Sequence, residues 1–211
     1  MSSRRLLFDN DAFILLAGAG VLRETVELLG FSLEQARRLK ELPYMLRKPS
    51  ASLRSYPADV LQRALEDCER VPALEEVPNQ ETMLPFAATE ADVQDGEALL
   101  FGVAAEHGLF CVASNDKRAM RGVATDNALK DIRDAIRGRV VCLEAVIKKM
   151  ILTHGPELAA QKLKALGQLD KRTRTIISPA ESGRPEDCLE AVNSWLNGLN
   201  KELGDGFLYE A

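Results

Sequence analysis

Residues 89–119 read TEADVQDGEALLFGVAAEHGLFCVASNDKRA, and within them the apolar pattern changes once from a helical period to a strand. Asp95 falls where a helix N-cap is expected, just ahead of Gly96 and Glu97. Leu100, Phe101, Ala104 and Ala105 follow Glu97 at helical spacing and share its face. His107-Gly108 ends the helix, residues 109–113 form an apolar run of strand length, and Ser114-Asn115-Asp116 lies just past it. A helix of about eleven residues climbs ~16 Å, and a strand of about five returns ~16 Å. The chain therefore brings Asp116 back to the height of Glu97, at the carboxyl edge of a strand, where open α/β sheets place their sites. Taken structurally, the same residues are a helix cap, a first-turn acid favoured by the dipole, and an acid opening the next helix.

The chain alternates in the same way on either side. Residues 5–8, RLLF, read as a strand ending at Asp9-Asn10-Asp11, and the next eleven or so residues are apolar all round, as a buried helix is. Gly18 and Gly20 break that run. Residues 21–29 and 33–42 read as amphipathic helices, the second capped by Ser32. Residues 43–55 read as irregular and basic, and a helix from Tyr56-Pro57 continues to Val71. Pro72, Pro78 and Pro85 mark 72–86 as loop. Beyond the central unit, 116–124, 127–136 and 144–152 read as helices and 139–143, RVVCL, as a strand. Apolar strands separated by helices predict an α/β fold with a parallel sheet, and a fourth strand has its best candidate near 42–46. After Gly155 the expected elements are helices at 156–166 and 185–203 with a loop at 178–184. Trp195 and Leu199, one turn apart, are expected to be buried together. The expected organisation is an α/β domain over 1–154 and a helical C-terminal extension over 155–211 packed on it.

Composition narrows the classes. The chain has 211 residues, 46% hydrophobic and 28% charged, which suits a globular protein. No apolar run reaches the ~18–20 residues of a membrane span. Asp9 and Asp11 stand between Arg4-Arg5 and the first apolar run, unlike a secretory leader, so a cytoplasmic location is expected. Cys68, Cys111, Cys142 and Cys188 form no CxxC pair and read as buried thiols. With two histidines, His107 and His154, in separate settings, a zinc site or a histidine-pair ribonuclease is disfavoured. The net charge of −5 argues against a general nucleic-acid coat, but the charge is uneven. Residues 37–54 hold six basic side chains against Glu41 alone, and residues 59–97 hold eleven acids against Arg63 and Arg70. The basic block is either a solvated face or a surface for phosphates.

Two strands thus end in acid, and the helix between them starts with Asp95-Gly96-Glu97. Several carboxylates at one sheet edge repel each other unless a cation sits among them, and hard ions such as Mg²⁺ or Mn²⁺ take oxygen ligands. Such ions assist phosphodiester hydrolysis.

With LLFDNDAFI, DGEALLFGVAAEHG, LFCVASNDKRAMRGVA and GRVVCLEAVI in this order, the chain resembles the PIN-domain nucleases, in their GEA-type branch, over about residues 4–152. The resemblance implies a PIN-like α/β/α sandwich and a Mg²⁺- or Mn²⁺-dependent ribonuclease. Asp9, Glu97 and Asp116 match the family's metal-binding acids, and Asn10 and Ser114 match small polar positions that orient ligands. Asp11, Asp95 and Asn115 are supporting candidates. Lys117, Arg118 and Arg121 are candidates for holding the phosphate backbone. The family's further acid, on a helix after the second strand, has only Glu41 near its place in residues 37–55, with Glu66, Asp67 and Glu69 following on the next helix. RNA, an antitoxin-like protein and a second copy of the chain are the partners this resemblance brings with it. Two other readings stay open. Asp9 and Asp11 also resemble the DxD motif of haloacid-dehalogenase-like phosphatases, with Asp9 as nucleophile, although RVVCL leads only into Glu144 and not into a pair of acids. The chain also reads as a scaffold that kept the fold without the metal, binding RNA or a protein.

Overall fold

A computed structural model describes residues 4–50 and 53–210. The ends of the two expected domain spans, at 1–3 and 211, and residues 51–52 of the basic segment lie outside these. Four strands, β1 (Arg5–Phe8), β2 (Ala36–Arg38), β3 (Phe110–Ser114) and β4 (Val140–Cys142), form one parallel sheet in the order β2-β1-β3-β4. All are short, and β1, β3 and β4 are largely apolar. All five residues of β3 are buried, so both sheet faces are covered, as parallel sheets require. The register sets Phe8 opposite Ala113 and Ser114 opposite Cys142.

The first helix, α1 (Asn10–Gly18), is apolar all round and buried from Ala12 to Gly18. Gly20 takes a positive φ of 76°, which lets the chain turn into α2 (Leu22–Leu28). The α3 helix (Leu42–Arg47), α4 (Ala58–Arg70), α5 (Gln80–Ala88) and α6 (Asp95–Glu106) fill the long crossover to β3. Next come α7 (Lys117–Thr125), α8 (Lys130–Ile136) and, after β4, α9 (Leu143–His154). The C-terminal part is helical, in α10 (Pro156–Leu169), α11 (Lys171–Glu181) and α12 (Asp187–Leu203). The α1, α4, α9 and α10 helices pack along one set of contacts and α5 to α8 along another, an arrangement compatible with an α/β/α sandwich.

Arg139 locks the central unit. Its guanidinium donates to the carbonyls of Ala104, His107 and Phe110 at 2.8–2.9 Å, satisfying two acceptors that the C-terminus of α6 leaves open and one at the start of β3. Ala159, Leu163, Leu166, Ile176 and Val192 belong to the same hydrophobic cluster as the sheet. The extension therefore shares one core with the α/β part. All four cysteines are buried free thiols.

Several local expectations need correction. Residues 33–42 are not a helix. They hold β2, whose three residues ARR are too few to display a strand period, and Arg37 and Arg38 bond backbone carbonyls there. The fourth strand is therefore β2, and 42–46 belongs to α3. Residues 80–88 form α5 despite Pro85, because the Asn79 side chain accepts the Thr82 N–H and fixes the first turn. The expected loop at 178–184 is partly α11, which begins on the Asp170 cap and tolerates Pro179 near its end. Gln94, not Asp95, is the N-cap of α6. Trp195 is 40% exposed: the buried stripe of α12 runs through Cys188, Val192, Leu199 and Leu203, and the partly buried Leu196 takes the place between them.

Candidate functional site

From β1 the chain steps first to β2 on one side and later to β3 on the other. The carboxyl ends of β1 and β3 therefore form a topological switch point, where crossovers diverge and leave a crevice. Asp9 follows β1 there, and Ser114, Asn115 and Asp116 end β3 and open α7.

Asp9 is fixed from every side. Its N–H donates to the Ala113 carbonyl at 3.0 Å, extending the sheet by one rung. One carboxylate oxygen accepts the Ala12 N–H at 2.5 Å and caps α1, and the other accepts the Asn115 N–H at 2.9 Å. The residue is 3% exposed. Burial pushes its carboxyl up to about 6, against the pull of the Ser114 hydroxyl and the two N–H groups, and Asp11 pushes the same way.

Glu97 occupies the third position of α6 and closes a capping box, accepting the Gln94 N–H at 2.9 Å. Burial raises its carboxyl first, then the charges of Asp9 and Asp116. Asp116 caps α7 through the N–H groups of Arg118 (2.7 Å) and Ala119 (3.1 Å) and meets the Arg118 guanidinium at 3.3 Å. Its own N–H donates to the Ser114 hydroxyl at 3.1 Å. Asp11 reaches solvent, yet desolvation by the cleft walls and then Asp116 raise its carboxyl, with Arg118 opposing.

These groups line one cleft of about 540 Å³, whose walls include Asp9, Asn10, Asp11, Asp95, Glu97 and Asp116. Arg118 also lines it, and so does Glu41 at the start of α3. Glu41 is the acid nearest the expected position after the second strand. Six carboxylates thus face one guanidinium. Four helix N-termini, of α1, α3, α6 and α7, carry these acids into the cleft. Among the described residues, no three histidine, cysteine, aspartate or glutamate side chains stand close enough to form a ready ligand set. Capping contributes to the spacing, because Asp9, Glu97 and Asp116 each lean on their own helix.

The three basic candidates separate. Arg118 stays at the cleft, with Asp116 and Asp92. Lys117 is buried and bonds Glu144 at 2.7 Å, so it does not hold substrate. Arg121 pairs with Glu202 of α12 at 2.6 Å and is absent from the cleft walls. Sequence reasoning missed a second group behind the cleft. Arg172 of α11 reaches Asn115 Oδ1 at 3.4 Å and Glu144 at 3.4 Å. Tyr56 is pushed up to about 12, by burial first and then by the charges of Asp11, Asp170 and Asp9. Asp170 and Arg172 carry no sequence signal of their own; only the docking of the extension places them.

No protein-family model, no curated protein and no solved structure matches this chain. Among the described residues, no helix is long and apolar enough to cross a membrane.

Proposed function

We propose that this protein is a divalent-cation-dependent hydrolase of RNA phosphodiester bonds, with a PIN-like arrangement of acids. One observation carries the reading: six carboxylates face a single guanidinium in one cleft at the switch point of a parallel sheet. Burial and mutual repulsion raise Asp9, Glu97 and Asp11, so their ionised forms lack a cation. The donor set is oxygen only, which suits Mg²⁺ or Mn²⁺ over softer ions. A carboxylate has about four acceptor positions, so capping a helix leaves capacity for an ion.

Asp9, Glu97 and Asp116 would hold the ion, with Asp11 and Glu41 beside them. Such an ion supplies charge neutralisation at a phosphoryl group and lowers the pKa of a bound water. The chain does the positioning. Asn115 and Ser114 fix Asp9, the Gln94 box fixes Glu97, and Arg118 provides the cation nearest the acids. An aspartyl-phosphate route through Asp9 is disfavoured, because β4 leads only into Glu144, which is paired with Lys117, and not into the two acids that route calls for. A silent scaffold is the competing reading, favoured by the lack of a ready ligand set among the described residues.

Calorimetric titration with Mn²⁺ and cleavage of a mixed RNA and DNA pool test the proposal together. Wild type should bind Mn²⁺ and cut RNA, and Asp9→Asn should do neither. No Mn²⁺ binding at millimolar concentration, with no cleavage above the Asp9→Asn control, leaves the silent scaffold.

A further inference from the structure

The basic block of residues 37–54 divides once the fold is known. Arg37 and Arg38 spend their guanidinium groups on backbone carbonyls of β2 and its surroundings. Lys40, Arg47, Lys48 and Arg54 remain exposed, Arg54 with its Nε donating to the Pro49 carbonyl at 3.1 Å. The α3 helix buries Leu42 and Leu46, one turn apart, and this turns Tyr44 outward, where it is 64% exposed. Lys48, one turn on, places its ammonium 5.3 Å from the centre of the Tyr44 ring. The same segment meets the cleft, since Glu41, Met45 and Leu53 line it.

We propose that α3, with the exposed cations Lys40, Lys48 and Arg54 beside it, forms a ledge that holds single-stranded RNA at the mouth of the carboxylate cleft. Tyr44 stacks one base, and Lys40, Arg47, Lys48 and Arg54 take the flanking phosphates. The acidic cleft repels a polyanion, so a strand must be held by cations outside it. The ledge supplies four cations, and Glu41, the acid of this segment, faces the cleft. An exposed aromatic ring takes an unstacked base and gains nothing from a duplex, whose bases are hidden. Charge also decides between occupants: four exposed cations on the segment that carries the ring fit a phosphate strand. Only the fate of the bound strand rests on the proposed hydrolase; the binding itself needs no metal.

Fluorescence anisotropy in EDTA tests the ledge without hydrolysis. The probe is a labelled oligouridine of about twelve nucleotides, within the ~4–16 nucleotides that such grooves take, beside an RNA duplex of equal length. Wild type should prefer the single strand. Tyr44→Ala should weaken binding roughly tenfold, and Tyr44→Phe, which keeps the ring, should bind within about twofold of wild type. The pair Arg47→Gln and Lys48→Gln should lower the slope of log affinity against log salt by about 1.4, at ~0.7 per phosphate contact. Circular dichroism checks that each variant folds, which the exposure of these positions leads us to expect. Equal binding by Tyr44→Ala and wild type overturns the ledge, as does a duplex bound as tightly as the strand. Wild type that binds neither RNA but binds an acidic polypeptide through Tyr44 overturns it in favour of a protein partner. Strand binding without Mn²⁺-dependent cleavage keeps the ledge and removes the hydrolase. Cleavage with an unchanged KM in Tyr44→Ala does the reverse.

Discussion

Two buried acids stand at the same edge of the sheet and titrate in opposite directions. Asp9 follows β1 and is 3% exposed, and Glu144 follows β4 and is 1% exposed. Burial raises both. At Glu144 that push is overcome by Lys117 at 2.7 Å and Arg172 at 3.4 Å, and the carboxyl ends below its usual range. At Asp9 only dipoles oppose it, the Ser114 hydroxyl and the N–H groups of Ala12 and Asn115, and the carboxyl is left at about 6. One acid has its cations built into the chain. The other is held rigidly by donors, surrounded by more acids, and given none. The difference teaches that rigidity and charge balance are separate, and that Asp9 is the position where an external cation has most to gain.

The sharpest way to break this comparison is to remove a charge on the unbalanced side. Asp116→Asn keeps the α7 cap, since Asn ranks with Asp at that position, so the fold should survive. Metal-dependent RNA cleavage should fall by about 10³-fold or more, beyond the ~10–100-fold typical of groups that only support a ligand. Cleavage equal to wild type, measured on the pool that wild type cuts, would remove Asp116 from the site.

The balanced side should respond through stability instead. Lys117→Met leaves Glu144 buried beside Arg172 alone, and should destabilise by about 3–5 kcal/mol in urea unfolding at pH 7. Adding Glu144→Gln should restore much of that, because the stranded charge is gone. Glu144 has its pKa lowered on folding, so its contribution is present above the unfolded carboxyl range and is lost as pH falls below about 4.5. If the single and double variants unfold at the same denaturant concentration, the pair is not what holds α7 to α9.

Asp9 should show the opposite sign. A carboxyl raised from 3.8 to about 6 binds its proton more tightly in the folded state. Metal-free stability should therefore fall as pH rises from about 4 to 6, by up to about 3 kcal/mol. Asp9→Asn removes this cost and loses one acceptor worth ~1 kcal/mol, for a net gain of about 1–2 kcal/mol at pH 7.5. Metal affinity should weaken as pH drops below 6, where the proton competes. Thermal unfolding in EDTA across pH checks the first point, and a flat profile in wild type, matched by Asp9→Asn, would contradict it.

Sequence range decides which of these features are legible in the chain. The central unit is readable because α6 and β3 are long enough to show their periods, and because Asp9 and Asp116 sit directly after apolar strands. β2 is not, because three residues with two arginines carry no alternation, and their partners are β1, neighbouring carbonyls and the Cys68 carbonyl of α4. Glu97 reads as an acid on the core side, whereas its capping box with Gln94 depends on a one-residue boundary. Lys117 looks like its neighbour Arg118 in sequence; only the register of β4 beside β3 shows that Glu144 waits for it. Arg172 lies 57 positions from Asn115, and no local pattern reports a contact of that kind.

Arg172 gives the smallest expected effect and the finest test of the comparison, since it touches both sides. Its guanidinium meets Glu144 in the balanced cluster and Asn115, whose N–H holds Asp9, in the unbalanced one. Both contacts are long and Lys117 remains, so Arg172→Met should cost only about 1 kcal/mol at pH 7. With one cation fewer, Glu144 should titrate at higher pH, and the acid loss of stability should begin earlier than in wild type. Arg172→Lys keeps the charge but not the fork that reaches two acceptors at once. It should restore the acid limb, which depends on charge, and leave any effect on Mn²⁺ affinity, which depends on Asn115 geometry. If instead both variants bind Mn²⁺ as wild type does, the extension supports the fold at Glu144 and has no hold on the cleft through Asn115.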